Sequence, residues 1–168
     1  MPITPFHFGP GAALHSVAPR RVSFLAYCAA NVLVDTEPLY YMITGQFPLH
    51  RFFHTYVGVS IVVVVTIAIF LAAQRLSTVV PLPNLLSWKQ LTTGCVAVGA
   101  SLGGYSHVLF DSVMHSDIRP LAPFTSSNPM WLVVSLTSLH WFCLGSGILG
   151  LIVLGVRRLS EKEGGGGT

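Results

Sequence analysis

Charge is what this chain lacks most. Charged residues make up 9% of its 168 residues, against about 25% in ordinary soluble domains. Ahead of the C-terminal tail there are only four acids: Asp35, Glu37, Asp111 and Asp117. The mean hydropathy is +0.66 and 52% of residues are hydrophobic, which excludes a charge-covered soluble domain and predicts an integral membrane protein. Cysteine is scarce too. Cys28, Cys95 and Cys143 each stand alone in an apolar run, so neither a thiolate zinc site nor a disulfide framework is expected. The net charge is +3, but the basic residues come in ones and twos with no stripe, which excludes nucleic acid as a partner. No basic segment precedes an apolar core at the start, so no secretory signal is expected. No internal repeat is present.

What is there is a series of apolar runs. Residues 4–19 open with Thr4-Pro5, a helix N-cap and first position. A helix there is expected to be short and interrupted near Pro10, too short to cross a hydrocarbon core about 30 Å thick. It fits a re-entrant or interfacial half-helix. Four spans are predicted after it: Val22 through Val34 and on to Ile43, His50 to about Ala73, Leu91 to Phe110, and Met130 to Val156. The third contains Gly99 and Gly103, a small-residue pair that permits close helix packing. Residues 1–160 form one helical membrane domain, and 161–168 a flexible Gly-rich tail.

Arg20, Arg21, Arg75, Lys89, Arg157, Arg158 and Lys162 then fall on one side of the membrane, and only Arg51 and Arg119 on the other. The positive-inside rule makes the first side cytoplasmic. The connections that carry Asp35, Glu37, His50, His54 and 107–117 gather on the opposite, non-cytoplasmic face, joined by His7 if the N-terminal helix dips toward Arg20. His107, Asp111 and His115 are spaced by four, so a continuing helix would align them on one face. His50 and His54 share that spacing. Imidazole and carboxylate without thiolate suits zinc, with manganese or iron as alternatives. A metal would also explain why acids persist in so apolar a chain, since an unpaired carboxylate near lipid is costly.

The metal ligands expected are His7, Asp35, His50, His54, His107 and Asp111. Glu37 or Asp117 is the expected general base, and Arg51 or Arg119 the expected clamp on an anionic group. Thr4 to His7, Asp35-Thr36-Glu37, His50-Arg51-Phe52-Phe53-His54-Thr55 and Gly104-Tyr105-Ser106-His107 to Asp111 together resemble the YdjM-like family, described as inner-membrane-associated metal-dependent hydrolases. The likeness covers residues 4–120. The chain departs from the family where His50 and His54 are one residue closer, where Pro38 replaces a His, and at His115, where a Thr is expected. That family is distantly similar to zinc-dependent phospholipase C, so the resemblance implies a bacterial inner-membrane hydrolase with a phosphoester substrate, either a small molecule or a lipid of the surrounding bilayer. A transporter or ion pathway, or an interaction scaffold, is the non-enzymatic alternative.

Overall fold

The computed structural model describes residues 5–164. Thr4, and with it the expected cap, lies outside them. The described chain is all helical: α1 (Phe8–Val17), α2 (Phe24–Val34), α3 (Thr36–Ile43), α4 (Tyr56–Leu76), α5 (Thr93–Met114) and α6 (Leu136–Gly164), with short 3-10 turns at Pro5–His7 and Leu85–Gln90. Two of these helices, α4 and α6, are long and apolar enough to cross a membrane.

The N-terminal helix is not interrupted at Pro10. The 3-10 turn runs directly into α1, and Pro10 falls in its first helical turn, where a missing N–H leaves no intrahelical bond unmade. The run from Val22 to Ile43, expected as one span, is two helices hinged at Asp35, which caps the end of α2 and the start of α3. Pro38 is the physical reason. It has no N–H for the Val34 carbonyl, and its ring would strike that carbonyl if the helix continued. At 11 and 8 residues, α2 and α3 are each too short to cross a bilayer at about 1.5 Å per residue. The second helix begins later than expected, at Tyr56, where the Thr55 hydroxyl accepts the Gly58 N–H at 2.9 Å. His50 to Thr55 therefore form a loop, not a helical face. At the far end, α6 starts at Leu136, not Met130, and continues through Gly164. The expected tail is thus helical over 161–164, and 165–168 lie outside the described residues.

The bundle is organised around α5. α2 packs along it, α4 packs against both, and α1 pairs chiefly with α6. The α2–α5 seam uses the two glycines singled out in the sequence. A Cβ at Gly99 would collide with the Ser23 carbonyl, and one at Gly103 with the Tyr27 carbonyl. Ala26, Ala30, Val63, Val96 and Ala100 fill the space beside the seam. This close approach places the last two turns of α5, with His107 and Asp111, level with the Asp35 hinge.

Candidate metal centre

Four elements converge on one buried spot. The α2–α3 hinge brings Asp35, the loop before α4 brings His54, α5 brings His107 and Asp111, and the N-terminal 3-10 turn brings His7. Each is at most 4% exposed. Asp35, His54, His107 and Asp111 each offer one ligand atom, and these atoms all lie within 4.8 Å of one another. The His107 Nε2 is 3.3 Å from Asp35 Oδ1 and 3.2 Å from Asp111 Oδ2. The His54 Nε2 is 3.4 Å from the same Asp111 oxygen and 4.0 Å from Asp35 Oδ1. On the other side of Asp111, Oδ1 faces the His7 Nε2 at 3.3 Å.

These contacts are close but are not all hydrogen bonds. The two ring nitrogens of His54, Nε2 of His107, Nδ1 of His7 and Oδ1 of Asp111 have no hydrogen-bond partner among the described residues. Buried polar atoms are rarely left so. Their spacing has a simple account. Bonds of about 2.0–2.1 Å to a tetrahedral zinc would set its ligand atoms about 3.3 Å apart, close to the separation seen along three edges of the four-donor set. The donor set therefore fits a divalent metal of the zinc type.

Asn31 decides which nitrogen of His107 is available. Its amide nitrogen donates to the carbonyls of Tyr27 at 2.9 Å and Gly103 at 3.2 Å. That fixes its oxygen toward the His107 Nδ1, 3.0 Å away. An acceptor there calls for Nδ1–H, so Nε2 carries the lone pair and faces Asp35 and Asp111. Such a partner on the second ring nitrogen is the usual companion of a metal-binding histidine. Asn31 was not among the expected site residues. The signal was a single amide in the otherwise apolar run of α2.

The loop that carries His54 is held by Glu37. Its carboxylate accepts the backbone N–H groups of Arg51 at 3.2 Å, Phe52 at 3.0 Å and Phe53 at 2.8 Å, a concave cradle of amides suited to an anion. The loop splits the two histidines expected to act together. His54 turns inward to Asp35, His107 and Asp111. His50 turns to Asp117, whose carboxylate oxygens lie 3.0 and 3.1 Å from its Nδ1. Burial, helped by His54 and His115 nearby, holds the His50 pKa below its usual value despite Asp117. For Asp117 burial alone would raise the pKa, but His50 outweighs it and the carboxyl sits below its usual range. His54 behaves oppositely to His50: burial pulls its pKa down, and Asp111 and Glu37 overcome that and raise it.

His115 is not on the α5 face with His107 and Asp111. The helix ends at Met114, and His115 is its extended C-cap. The cap turns the ring toward His50, with ring centroids 4.4 Å apart. Two open cavities adjoin this outer layer. One, of about 410 Å³, is lined by His50, Arg51, Asp117 and Arg119 together with Phe52, Val57 and Pro123. The other, of about 660 Å³, is lined by His50, His115, Ser116 and Asp117 beside Phe47 and Leu49. The two expected cations, 68 positions apart in sequence (119 − 51), thus share one cavity wall. The Arg51 guanidinium lies 3.7 Å from the Tyr41 ring centre, and its Nε donates to the Pro48 carbonyl at 3.0 Å.

The chain matches no family model, no curated protein and no solved structure.

Proposed function

We propose that this chain is a membrane-embedded, metal-dependent hydrolase acting on a phosphoester, in keeping with its resemblance to the YdjM-like family. One observation carries the reading. Four buried imidazole and carboxylate donors from three separate segments lie within 4.8 Å of one another, and atoms of His54, His107 and Asp111 have no hydrogen-bond partner among the described residues. Without an ion, burying these acids and rings together would cost several kcal/mol.

When bound, a zinc-type metal supplies a Lewis acid and lowers the pKa of a coordinated water toward about 7. The chain's own residues supply the rest. Asn31 holds the His107 tautomer, and Glu37 holds the loop that positions His54. Arg51 and Arg119 face the smaller cavity and would bind a phosphate there. Asp117, expected as a base, borders both cavities, but its carboxylate already takes the Nδ1 and backbone N–H of His50, so its part in this reading is to orient that ring. Glu37, expected as an alternative base, is already engaged by three backbone amides, so its part in this reading is to shape the loop.

Membrane crossing by α4, α5 and α6, with the bent α2–α3 pair together as the fourth crossing segment and the site at the non-cytoplasmic face, belongs to the same proposal. In support, the apolar windows of α4 and α6 are only 33% and 17% buried within the fold. Residues such as Val64, Ile69, Trp141, Leu149 and Leu151 are exposed, an apolar surface that lipid would cover. The mostly apolar lining of the smaller cavity beside two arginines suits a phospholipid-like substrate.

The test is metal analysis of detergent-purified protein alongside hydrolysis of a chromogenic phosphodiester. Wild type is expected to hold metal and turn over the ester, Asp111→Ala to lose both, and His107→Ala to hold less metal and lose turnover. A folded wild type that holds no metal after zinc loading would sink the proposal.

A further inference from the structure

We propose that the site holds two metal ions, the second bound by His50, His115 and Asp111, with Asp111 shared between them. This rests on the first ion's site being a metal centre and goes beyond it by adding a second, substrate-facing position. One ligand atom from each of His50, Asp111 and His115 lies within 4.8 Å of the others. No residue of this second group except Asp111 belongs to the first. The two sets therefore meet at a single carboxylate, the arrangement that bridges ions in two-metal hydrolytic sites.

Each of the two new ligands is held in place. His50 has Nδ1 against Asp117, and its backbone N–H also donates to Asp117 Oδ2 at 3.3 Å. With Nδ1–H given to the carboxylate, Nε2 is the free donor, as Asn31 arranges for His107. His115 is fixed through its backbone. Its N–H donates to the Asp111 carbonyl at 2.8 Å, and its carbonyl accepts from the Asn128 amide at 3.2 Å. The same Asn128 nitrogen donates to the Ser112 carbonyl at 2.8 Å, so the loop after α5 is clipped to the helix end with His115 facing His50.

The two groups differ in the way that structural and catalytic zinc sites differ. The first offers four protein donors, all buried, which is a closed set. The second offers three, and His50 and His115 both line the 660 Å³ cavity. Three protein ligands beside open space leave a coordination position for water or substrate. His50 also lines the cavity with Arg51 and Arg119, so a phosphate held by the arginines lies next to the second ion. The outer ion is thus the one that meets the substrate.

The experiment is a zinc count on purified, zinc-loaded and exhaustively dialysed protein. Wild type is expected to retain about two ions per chain, and His115→Ala and His115→Gln about one. Helical content by circular dichroism and the elution volume in detergent check that each variant is folded. About one ion in wild type overturns the second site and leaves the first standing. None overturns both. Two ions in wild type and still two in folded His115→Ala overturn the assignment to His115. The wild-type count depends on no variant, so a misfolded mutant does not remove the test.

Discussion

At the residue scale the centre depends on which atom of each side chain faces inward. His107 has its orientation set by Asn31, and Asn31 has its own set by two helix carbonyls. Removing the amide should leave the imidazole free to present the wrong tautomer. Asn31→Leu is expected to weaken zinc binding by about 10–100-fold, the usual effect of losing such a partner, while the helices stay folded. Competition with a chelating dye would measure it, and an unchanged affinity would refute the tautomer argument. Glu37 offers a second case. Its carboxylate closes a loop by accepting three amides, so Glu37→Gln replaces an anion by a neutral group and turns one acceptor into a donor. Charge-assisted bonds of this kind contribute about 1.5–3 kcal/mol each. The variant is expected to lower the melting temperature and to loosen the metal site through His54. A melting curve and metal affinity both equal to wild type would show that the loop holds without it.

At the scale of elements, the position of the site follows from one tight seam and one break. Gly99 and Gly103 let α2 lie against α5 with backbone nearly touching backbone. Gly103→Ala should push the helices apart, disturb the Asn31 bond to the Gly103 carbonyl, and destabilise the bundle by about 1–3 kcal/mol. Gly94→Ala is the matched control. Nothing lies within 4 Å of a Cβ there, and alanine should stabilise the helix by up to about 1 kcal/mol. Thermal melts of both in the same detergent decide it, and equal melting points would contradict the seam. The spacing of these glycines was legible in the sequence because close helix packing has a four-residue signature. So were His107 and Asp111, which lie one turn apart on a real helix. The break at Asp35 was legible only in principle. Apolar residues continue across Pro38, and hydropathy outvotes a single proline although the backbone obeys the proline. His50 and His54 misled for a related reason. A four-residue spacing says nothing about helix when a side chain from elsewhere, here Glu37, fastens the segment as a loop. His115 was beyond sequence reading because its direction is set by the helix ending one residue earlier.

At the scale of the molecule, the metal proposal makes the ion part of the fold. Residues separated by up to 104 positions in sequence (111 − 7) meet at the site. His7, Asp35, His54, His107 and Asp111 tie the N-terminal turn, the α2–α3 hinge, the loop before α4 and α5 together. Elsewhere these segments are joined mainly by small apolar contacts, such as Val34, Val59, Val62 and Val108 around the α4–α5 contact. An ion that binds the folded chain and not the unfolded one stabilises it by mass action, by about 2.7 kcal/mol when the free ion is a hundredfold above its dissociation constant. Stripping the metal with a strong chelator is therefore expected to lower the melting temperature of wild type, and zinc but not magnesium to restore it, since imidazole donors favour zinc and magnesium prefers an all-oxygen octahedron. Asp111→Ala, which removes the ligand common to both groups, should already melt low and show no further response to chelator. The difference between the two proteins carries the argument. A chelator that destabilises both equally would be acting on the bundle at large, whereas one that affects wild type alone places the bound ion at the junction of these four segments.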